Sequence, residues 1–319
     1  MFLWAGIDEA GYGPLLGPLV VAGACFETVS KPFEGFLWDL LSDSLSRNMK
    51  NLDGRLAAAD SKVVYSARRG LKHLEETVLS FAGCLGKEPD NAGSFLASAC
   101  PDPPEDACPW FAETGEIGLP VSTTRAALAS KSALLRSSIE ERDISFRDTC
   151  FLPVLPAEYN RIVGRTRNKS LLLWQKCGLL LQRFWQSCDG REGFVLVDRH
   201  GGRERYRRLL ADAFPGCRCD IRTEGKYGSV YRISDSSRVM WVAFKQKADS
   251  LALPVSLASM TAKYVRELYM LAFNAYWAGR MEGLRPTAGY AEDARRFLRD
   301  IRALTGEEGF EFDALVRRS

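Results

Sequence analysis

Near the start of the chain stands Gly6-Ile7-Asp8-Glu9-Ala10-Gly11-Tyr12-Gly13-Pro14. The residues before it, Phe2-Leu3-Trp4-Ala5, are apolar and bulky and read as a strand buried on both faces. Two carboxylates stand where that strand ends, a Gly-Tyr-Gly-Pro turn follows, and the next apolar run, Pro18 to Phe26, begins almost at once. Carboxylates are rarely buried unless paired or bound to a metal, so a pair at the lip of a core strand calls for a partner. Taken alone, Asp8 and Glu9 also suit the opening of a β-turn in which Gly11 and Gly13 supply positive φ.

Composition narrows what the partner can be. The 319 residues are 46% hydrophobic and 26% charged, an ordinary globular balance with room for one sizeable core plus additions, or for two domains. With 43 basic and 40 acidic side chains the net charge is +3, so contact with nucleic acid requires a local basic patch. The start lacks the basic and long apolar regions of a signal peptide, and no segment is long and apolar enough to span a bilayer. Nine cysteines at scattered spacings suggest reduced thiols, and a cytoplasmic location is expected. Cys217-x-Cys219 and the group Cys84, Cys100 and Cys108 lack zinc-finger spacing. Only His73 and His200 are present, too few for a histidine-rich metal site, so carboxylates must carry any metal chemistry.

Outward from the opening strand, Asp60-Ser61-Lys62 reads as a helix cap, with Ser66 capping a helix from Ala67 to about Phe81. Cys84 to Pro120 is rich in Gly, Pro, Asp and Glu and reads as an insertion or mobile loop rather than core. Helical spacing returns at Thr123–Glu141, and Ile144–Pro153 looks like a strand. Ser170–Cys188 is an amphipathic helix preceded by the basic run Arg161, Arg165, Arg167 and Lys169, which suits either a phosphate-facing surface or a solvated helix entrance. Gly193-Phe194-Val195-Leu196-Val197-Asp198 is a second buried strand ending in a carboxylate. A helix loaded with arginines is expected from Arg203 to Phe214, and a surface hairpin or a strand with its turn between Tyr227 and Met240. Val255 to Ala278 is the longest helical pattern, and a last helix is expected from about Ala291 to Leu304. Within the long helix, Lys263 and Glu267 share a face at i and i+4, the spacing of a helix salt bridge.

The full opening string, with Leu-x-Gly-Pro-Leu-Val-Val-Ala after it, resembles the signature of the type 2 ribonucleases H (ribonucleases HII and HIII). Asp60-Ser61-Lys62, the strand ending at Asp198, Val255 to Glu267 and Pro286-Thr287-Ala288-Gly289-Tyr290 match further family segments in the same order. The resemblance implies an α/β protein with a ribonuclease H-like fold: a mixed central sheet flanked by helices. On that reading residues 1–83 and 121–280 form the core, 84–120 the insertion, and 281–319 a C-terminal helical extension.

The resemblance also implies a metal-dependent endoribonuclease, active on the RNA strand of an RNA/DNA hybrid or on a ribonucleotide embedded in duplex DNA, and working as a monomer. Asp8, Glu9, Asp198 and Glu267 would be its catalytic and metal-ligating residues, with Glu267 where the family has aspartate. Four such charges in one pocket repel one another unless cations relieve them, and all-oxygen ligation suits two Mg²⁺ or Mn²⁺ ions. Gly11, Tyr12, Gly13, Ser61, Lys62, Lys263 and Tyr290 are the implied substrate contacts. Tyr12 stands where ribonucleases HII have arginine, and Tyr290 matches the tyrosine that senses the 2′-hydroxyl. The alternatives are a catalytically weakened nucleic-acid-binding homologue and a nuclease of the same fold acting on structured DNA.

Overall fold

The computed structural model describes residues 1–66, 68–104, 108–307 and 312–318. In chain order, β1 (Phe2–Ala10) and β2 (Leu19–Thr28) are followed by α1 (Phe36–Leu40), the short pair β3 (Leu45–Ser46) and β4 (Leu56–Ala57), the one-turn α2 (Ser61–Val64) and α3 (Lys72–Cys84). Next come α4 (Ala92–Ala99), a 3₁₀ helix at Pro109–Glu116, α5 (Arg125–Glu140), β5 (Ile144–Val154), α6 (Pro156–Thr166), α7 (Lys169–Gln186) and β6 (Glu192–Asp198). Then follow α8 (Arg207–Ala213), β7 (Arg218–Thr223), β8 (Ser229–Ser234), β9 (Val239–Lys245), a 3₁₀ turn at Ala248–Ser250 and the long α9 (Leu253–Ala278). Finally come α10 (Ala291–Asp300), α11 (Arg302–Glu307) and α12 (Phe312–Leu315).

The seven-stranded sheet has the order β5-β2-β1-β6-β9-β8-β7. β6 lies parallel to β1 and β9 parallel to β6, while β2 runs antiparallel to both β1 and β5. Five strands ordered β5-β2-β1-β6-β9 with β2 alone reversed make the mixed sheet of a ribonuclease H-like fold, as the sequence leads one to expect. β8 and β7 extend its edge antiparallel.

Alternation along β1 divides the two layers. Leu3, Ala5 and Ile7 pack with Cys177, Leu180 and Phe184 of α7, and Trp4 packs with Val255 and Leu257 of α9. Gly6 lies on the α9 side, where an added Cβ would stand 2.2 Å from the backbone nitrogen of Val255. Only glycine lets the start of α9 rest directly on the strand. β1 itself runs further than its apolar residues suggest, so Asp8 and Glu9 lie inside the strand rather than after it.

Other elements shift or change character. The helix expected from Ala67 starts at Lys72, and Ala67 lies outside the described residues. The strand pair expected between Tyr227 and Met240 reaches Lys245 and joins the main sheet as β8 and β9. The segment 84–120, expected as an insertion or mobile loop, contains α4, whose start is fixed by a reciprocal cap in which Asn91 Oδ1 accepts the Ser94 N–H at 2.8 Å. Phe95, Trp110 and Phe111 are buried there against Tyr269, Phe273 and Trp277 of α9. Its prolines and glycines punctuate the joints, and the aromatics anchor what lies between; residues 105–107 of that segment lie outside the described set. Phe297, Ile301 and Leu315 of the C-terminal segment join the same cluster, while residues 308–311 and 319 of the 281–319 extension lie outside the described set.

Candidate active site

The last register pair between β1 and β6 is Ile7 with Val197, and beyond it the strands part. Asp8, Glu9 and Asp198 follow immediately, at the carboxyl ends of two parallel neighbours, where open α/β sheets place their ligand crevices. One oxygen from each of the three carboxylates lies within 4.8 Å of the others.

The surroundings hold these oxygens in place without neutralising them. Asp8 is buried, and one of its oxygens accepts the Glu9 N–H at 2.7 Å. Ser259 of α9 reaches Asp8, and its hydroxyl and that of Ser61 share a hydrogen bond at 3.0 Å. Asp198 Oδ1 accepts the Ala248 N–H at 2.9 Å. Burial, then repulsion from Glu9 and Asp198, raises the Asp8 carboxyl well above its ordinary range. Burial and Asp198 push Glu9 up to about 8, against the pull of Lys62. Asp198 is also raised by burial, opposed by its backbone donors and Lys62.

A fully satisfied carboxylate elsewhere in the fold gives the contrast. Glu75, 0% exposed, accepts the N–H groups of Val121 and Ser122 at 2.6 Å each and the Tyr264 hydroxyl at 2.9 Å. The clustered trio differs in that its carboxylates face one another, and burial and mutual repulsion hold all three carboxyls above the ordinary range. Acidic oxygens gathered at one point, costly to ionise there without a counter-charge, fit a hard divalent cation.

The fourth carboxylate differs from the sequence expectation. Asp249, in the 3₁₀ turn between β9 and α9, lines the same pocket together with Asp60, Ser61 and Lys62. Burial, Asp60 and Asp198 push its carboxyl up to about 6, and its charge acts on Asp8. Glu267 is not part of the three-carboxylate cluster. Its oxygens accept from Lys263 Nζ at 2.5 Å, the Tyr65 hydroxyl at 2.9 Å and Arg266 Nη1 at 3.2 Å. Glu267 lies eight residues beyond Ser259 on the same helix.

The remaining expected residues fall into three places. Ser61 and Lys62 line the carboxylate pocket, with Ser61 buried and Lys62 at its mouth. Lys263 belongs with Glu267, its amine also 4.4 Å from the Tyr65 ring centre. Tyr290, half exposed, has the Arg266 guanidinium 5.5 Å from its ring centre. Arg266 is fully buried and donates to the carbonyls of Leu16 and Ala288, so it ties α9 to both the turn after β1 and the Tyr290 segment. Gly11, at φ +86, sits against it; an added Cβ would stand 2.8 Å from Arg266 Nε. Gly13 is exposed, and Tyr12 turns the other way, toward α7.

Fold and pocket together define a ribonuclease H-like α/β protein with a three-carboxylate centre at the parting of its central strands. No family model matches the chain, and no curated protein does. Among solved structures it is similar to the ribonuclease HII of Archaeoglobus fulgidus, solved in complex with PCNA, at 15% identity over 99% of this chain and 93% of that one, TM-score 0.44. The ribonuclease H2 of Pyrococcus horikoshii OT3 aligns at 16% identity over 99% and 92%, TM-score 0.41. Bst-RNase HIII in complex with Mn²⁺ aligns at 14% identity over 99% and 66%, TM-score 0.41.

Proposed function

We propose that this protein is a divalent-cation-dependent endoribonuclease of the type 2 ribonuclease H kind. Its substrate on this reading is the RNA strand of an RNA/DNA hybrid, or a ribonucleotide embedded in duplex DNA. The observation that carries the reading is the convergence of Asp8, Glu9 and Asp198 within 4.8 Å where β1 and β6 separate. The order of strand, acidic pair and glycine turn in the sequence supports it independently.

Asp8, Glu9 and Asp198 would hold Mg²⁺ or Mn²⁺, with Asp249 as a fourth donor in place of Glu267. The bound cations supply Lewis-acid charge at the scissile phosphodiester. Ser259 and the Ala248 N–H hold Asp8 and Asp198 in place, so little reorganisation is needed when a phosphodiester arrives. Lys62 reaches the pocket from its mouth and meets a phosphate oxygen there. Tyr290 and the backbone of Gly11 would meet the sugar edge of the substrate, where the 2′-hydroxyl distinguishes RNA from DNA. Glu267 on this reading keeps its partners Lys263, Arg266 and Tyr65 and stands outside the cation's shell.

The test is cleavage of a labelled DNA duplex carrying one ribonucleotide, with Mn²⁺, by the wild type and by Asp8→Asn. An RNA/DNA hybrid and an all-DNA duplex run alongside. Cutting at the ribonucleotide that disappears in Asp8→Asn is the expected result. Cutting of the hybrid alone removes the junction activity and keeps the ribonuclease. RNA-independent cutting, or none by folded protein, overturns the proposal.

A further inference from the structure

An anionic catalytic pocket repels the polyanion it must bind, so attraction has to come from its flanks. Residues 161–208 carry twelve basic and four acidic side chains, a net of +8 in a chain whose total is +3. This stretch holds the α6–α7 joint, α7, β6 and the approach to α8. Within it, Arg161, Arg165, Arg167, Lys169 and Arg203 form no ion pair among the described residues, whereas Lys176, Arg183 and Arg191 are tied to Asp102, Asp148 and Glu27.

Tyr12 connects two of these free cations to the catalytic strand. It follows Glu9 by three residues and packs against Leu19, Val154, Tyr159 and Leu172. Lys169, the first residue of α7, places its amine 5.0 Å from the centre of the Tyr12 ring. Arg203, in the segment between β6 and α8, donates from Nε and Nη2 to Ser170 Oγ at 3.2 and 3.1 Å. Ser170 adjoins Lys169, so the hydroxyl fixes the guanidinium beside the amine. The field of both Glu9 and Arg203 is felt at the Tyr12 hydroxyl.

The geometry points to Tyr12, Lys169 and Arg203 as a built contact for a backbone phosphate of the nucleic acid, adjoining the catalytic carboxylates. The inference rests on the nuclease reading and names residues that hold the substrate strand. Arg203 offers a fixed planar donor group, Lys169 a point charge, and the Tyr12 ring a rigid floor beneath the amine. Such a contact carries no sequence information and fixes the register of the strand on the enzyme.

The test measures binding of labelled duplexes by fluorescence anisotropy between about 50 and 200 mM salt, in an Asp8→Asn background that does not turn over. Each phosphate contact contributes about 0.9 to the slope of log K against log salt. Lys169→Ala and Arg203→Ala are each expected to lower the slope by part of that amount, and the double variant by about 0.9, the share of one phosphate. The loss is equal for the all-DNA and the ribonucleotide-containing duplex, and Arg203→Lys restores most of the slope lost in Arg203→Ala. A double variant that binds with unchanged slope overturns this contact and leaves the nuclease reading standing. Failure of the Asp8→Asn protein to bind any of the duplexes overturns both.

Discussion

Replacing Glu9 with glutamine should stabilise the cation-free protein at alkaline pH while weakening its response to cations. The Glu9 carboxyl, ordinarily near 4.5, is pushed up to about 8 in the folded state. A carboxyl raised in this way favours the folded state in full below about 4.5, and that stability is lost progressively as pH rises to about 8. At about 1.4 kcal/mol per unit across about 3.5 units, the ceiling is about 5 kcal/mol. Glu9 is half-buried and shares its protons with Asp8 and Asp198, so about 2 kcal/mol is the working figure. An unfolding entropy of about 2.1 cal/mol/K per residue gives about 0.7 kcal/mol/K for 319 residues, hence about 3 °C.

The assay is thermal unfolding at pH 5 and pH 8.5 with and without Mn²⁺. Without cation, Glu9→Gln should melt about 3 °C above the wild type at pH 8.5 and level with it at pH 5. A cation at about 100 times its dissociation constant adds about 2.7 kcal/mol, so the wild type should gain about 4 °C at pH 8.5 and the variant clearly less. A variant that melts at or below the wild type at pH 8.5 without cation, or gains the same increment from Mn²⁺, refutes the assignment of a strained, cation-seeking carboxylate cluster.

Four further outcomes follow from the same structure. Asp249→Asn should reduce kcat for ribonucleotide cleavage by about 100-fold, about 2.7 kcal/mol of barrier, whereas Glu267→Gln should change it by less than about 10-fold. Urea unfolding of Glu267→Gln should show a loss of about 2 kcal/mol, since the buried Arg266 guanidinium loses its charged partner. Phe95→Ala should cost about 3–5 kcal/mol in the same measurement, because Phe95 is fully buried against Phe151 and Tyr264; a loss under about 1 kcal/mol would return 84–120 to the status of a loop. Gly6→Ala should yield little folded protein, since its Cβ meets α9 backbone rather than a side chain able to move aside.

What could be read in the sequence were the places where one signal overrides all others. An apolar run that stops at a carboxylate marked both β1 with Asp8 and Glu9 and β6 with Asp198. Asp249 was missed because it ends no apolar run; Gln246, Lys247 and Ala248 separate it from β9. Extending the strand of that hairpin to Lys245 and making it the third parallel neighbour would have brought the following turn to the carboxyl edge of the sheet. Glu267 was chosen from its string of neighbours, and the structure gives it Lys263, Arg266 and Tyr65 as partners. In 84–120, turn-forming composition hid three aromatics whose burial depends on α9, about 160 residues further on.

The loop between β1 and β2 is closed by a residue made very late. Arg317 Nη2 donates to the Pro14 carbonyl, its N–H to the Leu15 carbonyl, and its guanidinium lies 4.9 Å from the Tyr159 ring centre. Pro14 and Arg317 are 303 residues apart. At about 5–20 residues per second, a ribosome needs roughly 15–60 s between them. Throughout that interval the acidic strand exists while the glycine turn beside it lacks its last fastening. Vectorial synthesis thereby separates in time the appearance of the charged cluster from the locking of the loop that borders it.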